Sequence, residues 1–113
     1  IVIDDMISSG ESMLDVARKL KERKAKRVIV CTTFGLFTDG LEKFDEYYEK
    51  EYIYRVITTN LNYRNPELLT RPYYLEADMS KYLASIMDIL NHDLSVNKVR
   101  NTTKKINKLL KRC

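Results

Sequence analysis

Cysteine and histidine are scarce in this sequence. Its 113 residues include two cysteines, Cys31 and Cys113, and a single histidine, His92. The two cysteines fit no metal-binding or disulfide spacing. We expect Cys31 to be a small buried hydrophobic residue of a strand and Cys113 to be an exposed thiol. His92 is expected to be structural or solvated, since no Ser-His-Asp triad can be assembled around it. This cysteine usage favours a reducing, cytoplasmic location.

Long apolar segments are also absent. No stretch approaches the ~20 apolar residues that a membrane-spanning helix needs, and the first residues lack the charged-then-apolar pattern of a signal segment. With 113 residues and 44% hydrophobic content, the chain is long enough for one core of ordinary size but not for a second domain. We therefore expect one domain or part of one, with no membrane partner.

Acidic residues are missing from 95–113, which contains seven lysines and arginines. Subtracting these seven from the formal net charge of +4 leaves −3 for the preceding residues, so the basic character belongs to this tail. A basic face attracts nucleic acid, but no aromatic residues are interleaved for base stacking, so a nucleic-acid partner is not expected. The tail is predicted to be a helix that packs on the domain or on a partner subunit through an apolar stripe of Val96, Val99, Ile106, Leu109 and Leu110.

Strand and helix patterns alternate over the first 60 residues. Residues 1–3 predict a short buried strand, and the spacing of apolar residues predicts a helix over about 11–24. Further strands are predicted over 28–32 and 54–59, with a helix between them that begins after Thr38. Such alternation is typical of an α/β fold with a parallel sheet, flanking helices and right-handed crossovers.

The pattern changes after residue 60. Polar residues with Pro66 and Pro72 predict an irregular connection, and a helix is predicted to open at Asp78-Met79-Ser80. The apolar stripe of that helix, from Tyr82 to Leu90, is interpreted as core. The expected domain over 1–113 therefore consists of an α/β core over 1–60, an irregular connection over 61–77 and C-terminal helices over 78–113.

The first 14 residues carry most of the functional information. Asp4 and Asp5 follow an apolar run, and ionised carboxylates are strong acceptors for the vicinal hydroxyls of a sugar. Ser8, Ser9 and Gly10 lie where a loop enters a helix, a place that offers unsatisfied amides and positive potential to a phosphate. The same residues are also typical of a polar strand end followed by an ordinary helix cap. The order of the parts favours a sugar-phosphate site.

A resemblance to a known family narrows this interpretation. The run 2–12, Val-Ile-Asp-Asp-Met-Ile-Ser-Ser-Gly-Glu-Ser, resembles the phosphoribosyl-binding loop of type I phosphoribosyltransferase folds. Residues 20–28, 31–38 and 56–60 are similar in order and spacing to the C-terminal part of ribose-phosphate pyrophosphokinases, also called phosphoribosyl pyrophosphate synthetases. The resemblance implies a Rossmann-like parallel-sheet domain and a C-terminal fragment of a longer, two-domain chain.

The resemblance also implies an activity and roles for individual residues. The intact enzyme would transfer pyrophosphate from ATP to ribose 5-phosphate with Mg²⁺, making phosphoribosyl pyrophosphate and AMP for nucleotide biosynthesis. No catalytic residue is implied in this fragment, which is expected to be inactive alone and to come from a homo-oligomer. Asp4 and Asp5 would hold the ribose hydroxyls, directly or through Mg²⁺ and its waters, and the 5-phosphate would be surrounded by Ser8, Ser9, Gly10, Glu11 and Ser12.

The chain departs from the usual loop of this family at two positions. Ser8 replaces an acid, and Glu11 stands where a glycine is common. A carboxylate beside a phosphate repels it unless the side chain points away. Phe34 also stands where many relatives have histidine. Two alternatives stay open: a nucleotide-forming phosphoribosyltransferase, which shares the loop, and a non-catalytic regulatory relative of the synthetase, which Ser8 and Glu11 would favour.

Overall fold

A computed structural model of the chain describes residues 1–96 and 103–111. These residues form two compact units, Ile1–Asp78 and Met79–Cys113. The predictions for residues 97–102 of the tail, which include Val99, and for Cys113 lie outside the described residues. The elements are, in chain order, β1 (Val2–Ile7), α1 (Glu11–Glu22), β2 (Ile29–Gly35), α2 (Glu42–Glu49), β3 (Arg55–Thr59), α3 (Pro66–Leu69), β4 (Tyr74–Ala77), α4 (Ser80–Asn91) and α5 (Thr103–Leu110).

The four strands form one sheet in the order β1-β2-β3-β4, and every neighbouring pair is parallel. Parallel neighbours require a crossover connection rather than a hairpin. Here α1 connects β1 to β2, α2 connects β2 to β3, and the short α3 precedes β4. The predicted α/β class, a parallel sheet with flanking helices, is therefore confirmed.

One face of this sheet carries the core of the first unit. Val30 and Val56 lie on this face in one register row with Tyr74, and all three are buried. Right-handed crossovers between strands in sequential order place the connecting helices on the same side of a sheet. The side chains that these helices contribute to the buried cluster are Met13, Leu14 and Ala17 of α1, Phe44 of α2 and Leu68 of α3.

The opposite face of the sheet is only partly covered. Ile3, Cys31, Ile57 and Leu75 form one register row across all four strands. Ile3 is 79% exposed and Leu75 is 49% exposed, while Cys31 and Ile57 are half-buried. The prediction that Cys31 is buried is therefore wrong, because its side chain lies on the face away from the core cluster.

The first strand is longer and more exposed than predicted. It runs over Val2–Ile7, so Asp4 and Asp5 lie inside the strand rather than after its end. Within the described residues β1 is an edge strand whose single neighbour is β2, and most of its side chains are exposed. The prediction of a short buried strand over 1–3 is therefore wrong in both length and burial.

The segment 61–77 contains two regular elements that the sequence analysis missed. α3 begins at Pro66, and the Asn65 side chain caps it by accepting from the Glu67 amide at 3.0 Å. Proline is favoured at a first helical position because its missing N–H would have no partner there. The strand β4 follows at Tyr74–Ala77. The prediction of an irregular connection is corrected to a helical turn followed by the fourth strand.

The second unit contains α4 and α5. α4 begins at Ser80, close to the predicted start, but none of its residues is buried. Leu83, Met87 and Leu90 of the predicted core stripe are exposed, so the interpretation of this stripe as core is wrong. An apolar stripe becomes core only when another element covers it. Among the described residues, no helix has the length and apolarity needed to cross a membrane.

Candidate functional site

The serine-glycine loop lies at the carboxyl end of the parallel sheet. β1 ends at Ile7 and α1 begins at Glu11, so the loop is a short connection between them. The segment after β2 supports it, because the Leu36 amide donates to the Ile7 carbonyl at 2.8 Å and the Thr38 amide donates to the Ser8 carbonyl at 3.0 Å. Ligands of open α/β sheets bind at this edge. The predicted phosphate loop is therefore in the right place for a ligand.

Gly10 determines the shape of the loop. Its φ of +85° lies in the left-handed region that favours glycine. A Cβ at this position would lie 2.3 Å from Cζ of Phe44 and 2.6 Å from its Cε2. Phe44 is a fully buried residue of α2. Gly10 is therefore required both for the turn and for the close approach of α2 to the loop.

The start of α1 offers backbone amides to a ligand. No side chain caps this helix, and the contact from the Glu11 amide to Ser9 Oγ is long, at 3.5 Å. The first backbone bond of the helix runs from Leu14 N to Gly10 O at 2.9 Å. Amides before that bond have no partner within a helix, and the helix dipole adds positive potential there. With the exposed Ser8 and Ser12 hydroxyls, these amides can accommodate an anion.

The Glu11 carboxylate, which the sequence marks as a repulsive group, is paired with a cation. Lys43 Nζ, from α2, donates a hydrogen bond to Glu11 Oε1, and both side chains are largely exposed. The hydrogen bond to Glu11 raises the pKa of Lys43, and the negative charge of Glu11 adds to that rise. Sequence analysis missed Lys43 because it lies 32 residues from Glu11, and no local pattern connects the two.

The two aspartates lie side by side in β1 but belong to different register rows. Asp4 pairs with Thr32 of β2, and the Asp5 amide donates to Asp4 Oδ1 at 2.9 Å. Successive strand residues point to opposite faces of a sheet, so the carboxylates of Asp4 and Asp5 diverge. Both are exposed. A sugar that lies over one face of the sheet would contact one of these carboxylates directly.

Metal binding by the aspartates would depend on other ligands. Within residues 1–96 and 103–111, no group of three or more His, Cys, Asp or Glu side chains is arranged to hold a metal ion. Mg²⁺ usually keeps several waters and binds one or two carboxylates together with substrate phosphates. Asp4 and Asp5 are oxygen donors that fit this mode, and a role for Mg²⁺ stays a prediction.

A pocket of about 340 Å³ lies close to the loop. It is formed mainly by the segment after β2, which includes Leu36, the residue that donates to the end of β1. Tyr63 and Asn65, from the connection after β3, complete its wall. A larger cleft of about 490 Å³ lies at the other end of the sheet, beside Arg27 and Tyr54, which precede β2 and β3. The larger cleft is therefore separate from the loop.

The family is decided by a comparison with known domains. Residues 1–72 match the model of the phosphoribosyl transferase domain. The chain belongs to this family. Among curated proteins, the ribose-phosphate pyrophosphokinase of Mycoplasmopsis pulmonis is 31% identical over 93 residues, covering 78% of this chain and 28% of that relative. The ribose-phosphate pyrophosphokinase of Vibrio cholerae is 26% identical over 101 residues, covering 89% of this chain and 31% of the relative.

The matched part of this chain corresponds to only a part of each relative. The chain spans less than a third of each of them. Among solved structures, phosphoribosylpyrophosphate synthetase from Mycobacterium smegmatis is similar, with a TM-score of 0.71 and 24% sequence identity, covering 80% of this chain and 29% of that chain. This likeness confirms the predicted phosphoribosyltransferase-type fold.

Proposed function

We propose that this chain is the ribose 5-phosphate-binding part of a ribose-phosphate diphosphokinase, which makes phosphoribosyl pyrophosphate and AMP from ribose 5-phosphate and ATP. The observation that carries the proposal is the glycine-shaped loop between β1 and α1, at the carboxyl end of the sheet. It occurs in a member of the phosphoribosyl transferase domain family whose curated relatives are named ribose-phosphate pyrophosphokinases. The proposal includes a homo-oligomeric, cytoplasmic enzyme.

The loop and the aspartates would have separate tasks in substrate binding. The 5-phosphate would accept hydrogen bonds from the first amides of α1 and from the Ser8, Ser9 and Ser12 hydroxyls. One of Asp4 and Asp5 would accept directly from the ribose hydroxyls, and the other would act through Mg²⁺ and its waters. Pyrophosphoryl transfer depends largely on positioning and on neutralising charge. Mg²⁺, when bound to these carboxylates directly or through its coordinated waters, would supply part of that neutralising charge.

The pairing of Glu11 bears on the alternative of a non-catalytic regulatory relative. That alternative relied on Ser8 and Glu11 as departures that weaken phosphate binding. Because Lys43 bonds the Glu11 carboxylate, Glu11 no longer counts as an uncompensated negative charge in the loop. The catalytic family role is therefore the better supported proposal.

Asp5→Ala tests whether the acidic pair binds the sugar. We expect this variant to bind ribose 5-phosphate at least about tenfold more weakly, because a hydroxyl loses a charged acceptor. Titration calorimetry on the wild type and the variant measures the change. Glu22→Ala, which removes an exposed carboxylate at the opposite end of α1 from the loop, serves as the matched control. Unchanged affinity in Asp5→Ala would refute the role of Asp5, and unchanged affinity in Asp4→Ala as well would refute the assignment of the pair.

The 113-residue chain alone is expected to form no AMP from ATP and ribose 5-phosphate. The loop between β1 and α1 is proposed to bind the 5-phosphate of the sugar. Among the described residues, we identify no second site that would bind the phosphates of ATP. Chromatographic detection of AMP measures the reaction, with the full-length Mycoplasmopsis pulmonis enzyme assayed in parallel to validate the conditions. AMP formation by the purified chain, above a no-enzyme blank, would contradict this expectation.

A further inference from the structure

We infer that Lys43 is a positioning residue of the phosphate loop, which holds the Glu11 carboxylate against α2 so that a phosphate dianion can bind at the start of α1. The inference rests on the proposed function and concerns the same site. It gives a role to a residue of α2 that lies outside the loop sequence. It also explains how the loop tolerates an acidic residue at its helical end.

The position of Lys43 relative to the loop is fixed by its neighbour. Phe44 is fully buried, and its ring lies against Gly10 so closely that a Cβ at Gly10 would overlap it. Lys43 precedes Phe44 in α2, and Glu11 follows Gly10 at the start of α1. The packing of Phe44 on Gly10 therefore brings the backbones of Lys43 and Glu11 together, and their ion pair forms across this contact.

The charges around this pair make Lys43 the compensating group. Glu11 is the acidic residue in the first turn of α1, where its carboxylate shares the end of the helix with the amides proposed to bind phosphate. Asp39 also acts electrostatically on Lys43, while Glu46, one turn along α2, is bonded by Lys50. Without Lys43, the negative charge of Glu11 would act on a bound dianion without a cation beside it.

The affinity for ribose 5-phosphate, measured by titration calorimetry at low salt, tests the inference. We expect Lys43→Gln to bind about threefold to fivefold more weakly than the wild type, within the range that a solvent-exposed ion pair supports. Glu11→Gln in the Lys43→Gln background should restore the affinity, because it removes the charge that Lys43 compensates. Lys43→Arg should retain the affinity, since arginine keeps the cation.

Lys50→Gln is the matched control. It removes the same charge and also frees a glutamate of α2, but it is the C-cap residue of that helix, two helical turns or about 10 Å beyond Lys43. We expect its affinity to equal that of the wild type. The difference between Lys43→Gln and the wild type should also shrink at high salt, because screening shortens the range of the repulsion from Glu11. A purely structural loss would not depend on salt in this way.

The outcomes separate this inference from the proposed function. If the wild type and Lys43→Gln bind ribose 5-phosphate equally well, the positioning role of Lys43 is wrong and the proposed site stands. The same holds if adding Glu11→Gln to Lys43→Gln fails to restore the wild-type affinity. If the wild type does not bind ribose 5-phosphate, the proposed function itself fails. Urea unfolding of Lys43→Gln and Lys50→Gln tests for a folding defect, and a larger loss in Lys43→Gln alone would count against the inference.

Discussion

Gly10 determines both the conformation of the loop and the packing of α2, because both depend on the absence of a Cβ at this residue. The sequence analysis identified this glycine as part of the loop, because serine and glycine before an apolar helical pattern predict a helix start. Its contact with Phe44 could not be predicted in that way, since the contact depends on how α2 lies on the sheet. The same limit applies to Glu11, whose direction is set by Lys43 of α2.

Gly10→Ala is expected to lower the free energy of unfolding by about 3 kcal/mol. The substitution combines an unfavourable positive φ with overlap against the ring of the fully buried Phe44. Gly40→Ala is the matched control, because Gly40 has a φ of +83° but its added Cβ would meet the flexible end of the Glu42 side chain. We expect about 1 kcal/mol for Gly40→Ala, from backbone strain. Urea unfolding measures both, and equal losses would show that the Phe44 contact is unimportant.

At the scale of elements, a polar cluster connects α2 to the segment that leads into β4. Asp45 of α2 accepts from Arg71 Nε at 2.9 Å and from the Tyr73 hydroxyl at 2.8 Å. Tyr73 is only 1% exposed. Burial raises the pKa of Tyr73 above its ordinary value, and the hydrogen bond to Asp45 raises it further. The neutral phenol is therefore favoured in the folded chain.

Because of Tyr73, the free energy of unfolding is expected to fall as the pH rises above about 10. Below about pH 10 the phenol is protonated in both the folded and unfolded states, so its contribution to stability is constant. As the pH rises further, the unfolded phenol ionises while the folded one stays protonated, and the free energy of unfolding falls. Tyr73→Phe should lose about 1 kcal/mol at pH 8, from the missing hydrogen bond, but should decline less than the wild type toward about pH 11.

Urea unfolding across this pH range measures the effect of Tyr73→Phe. Tyrosine and lysine side chains in general ionise near this pH range, so the difference between the wild type and the variant is the quantity to compare. Tyr63→Phe is the control, because Tyr63 is an exposed tyrosine and its removal should leave the alkaline decline unchanged. Parallel declines in the wild type and Tyr73→Phe would contradict the assignment to Tyr73.

The elements differ in how well the sequence predicts them, and the reason is physical. α1 and the strands β2 and β3 were predicted well, since their apolar patterns are long enough to show a period. β4 has four residues, too few to establish alternation, and becomes a strand by pairing with β3. β1 continues through Asp4 and Asp5 because it pairs with β2 through the backbone, and ladder hydrogen bonds do not depend on whether the side chains are apolar.

At the scale of the whole molecule, apolar surface is left without full cover. The row Ile3, Cys31, Ile57 and Leu75 crosses the sheet on the face opposite the core cluster. β1 adds an edge whose outer backbone groups have no strand partner among the described residues. Exposed edges and apolar faces are both sites of association between protein chains. The matched part of this chain is less than a third of each relative, so the relatives contain further residues beyond the part that is similar to this chain.

We therefore expect the 113-residue chain to self-associate, and Ile3→Lys to reduce this association. Ile3 lies on both the edge strand and the open row, and a lysine there places charge in the surface that would be buried. Sedimentation velocity over a range of concentrations measures the change. Val16→Lys, at an exposed apolar position of α1, adds the same charge away from the sheet and should associate like the wild type. A wild-type chain that stays monomeric at every concentration would contradict the expectation, and equal effects of the two lysines would assign the association to net charge rather than to this face.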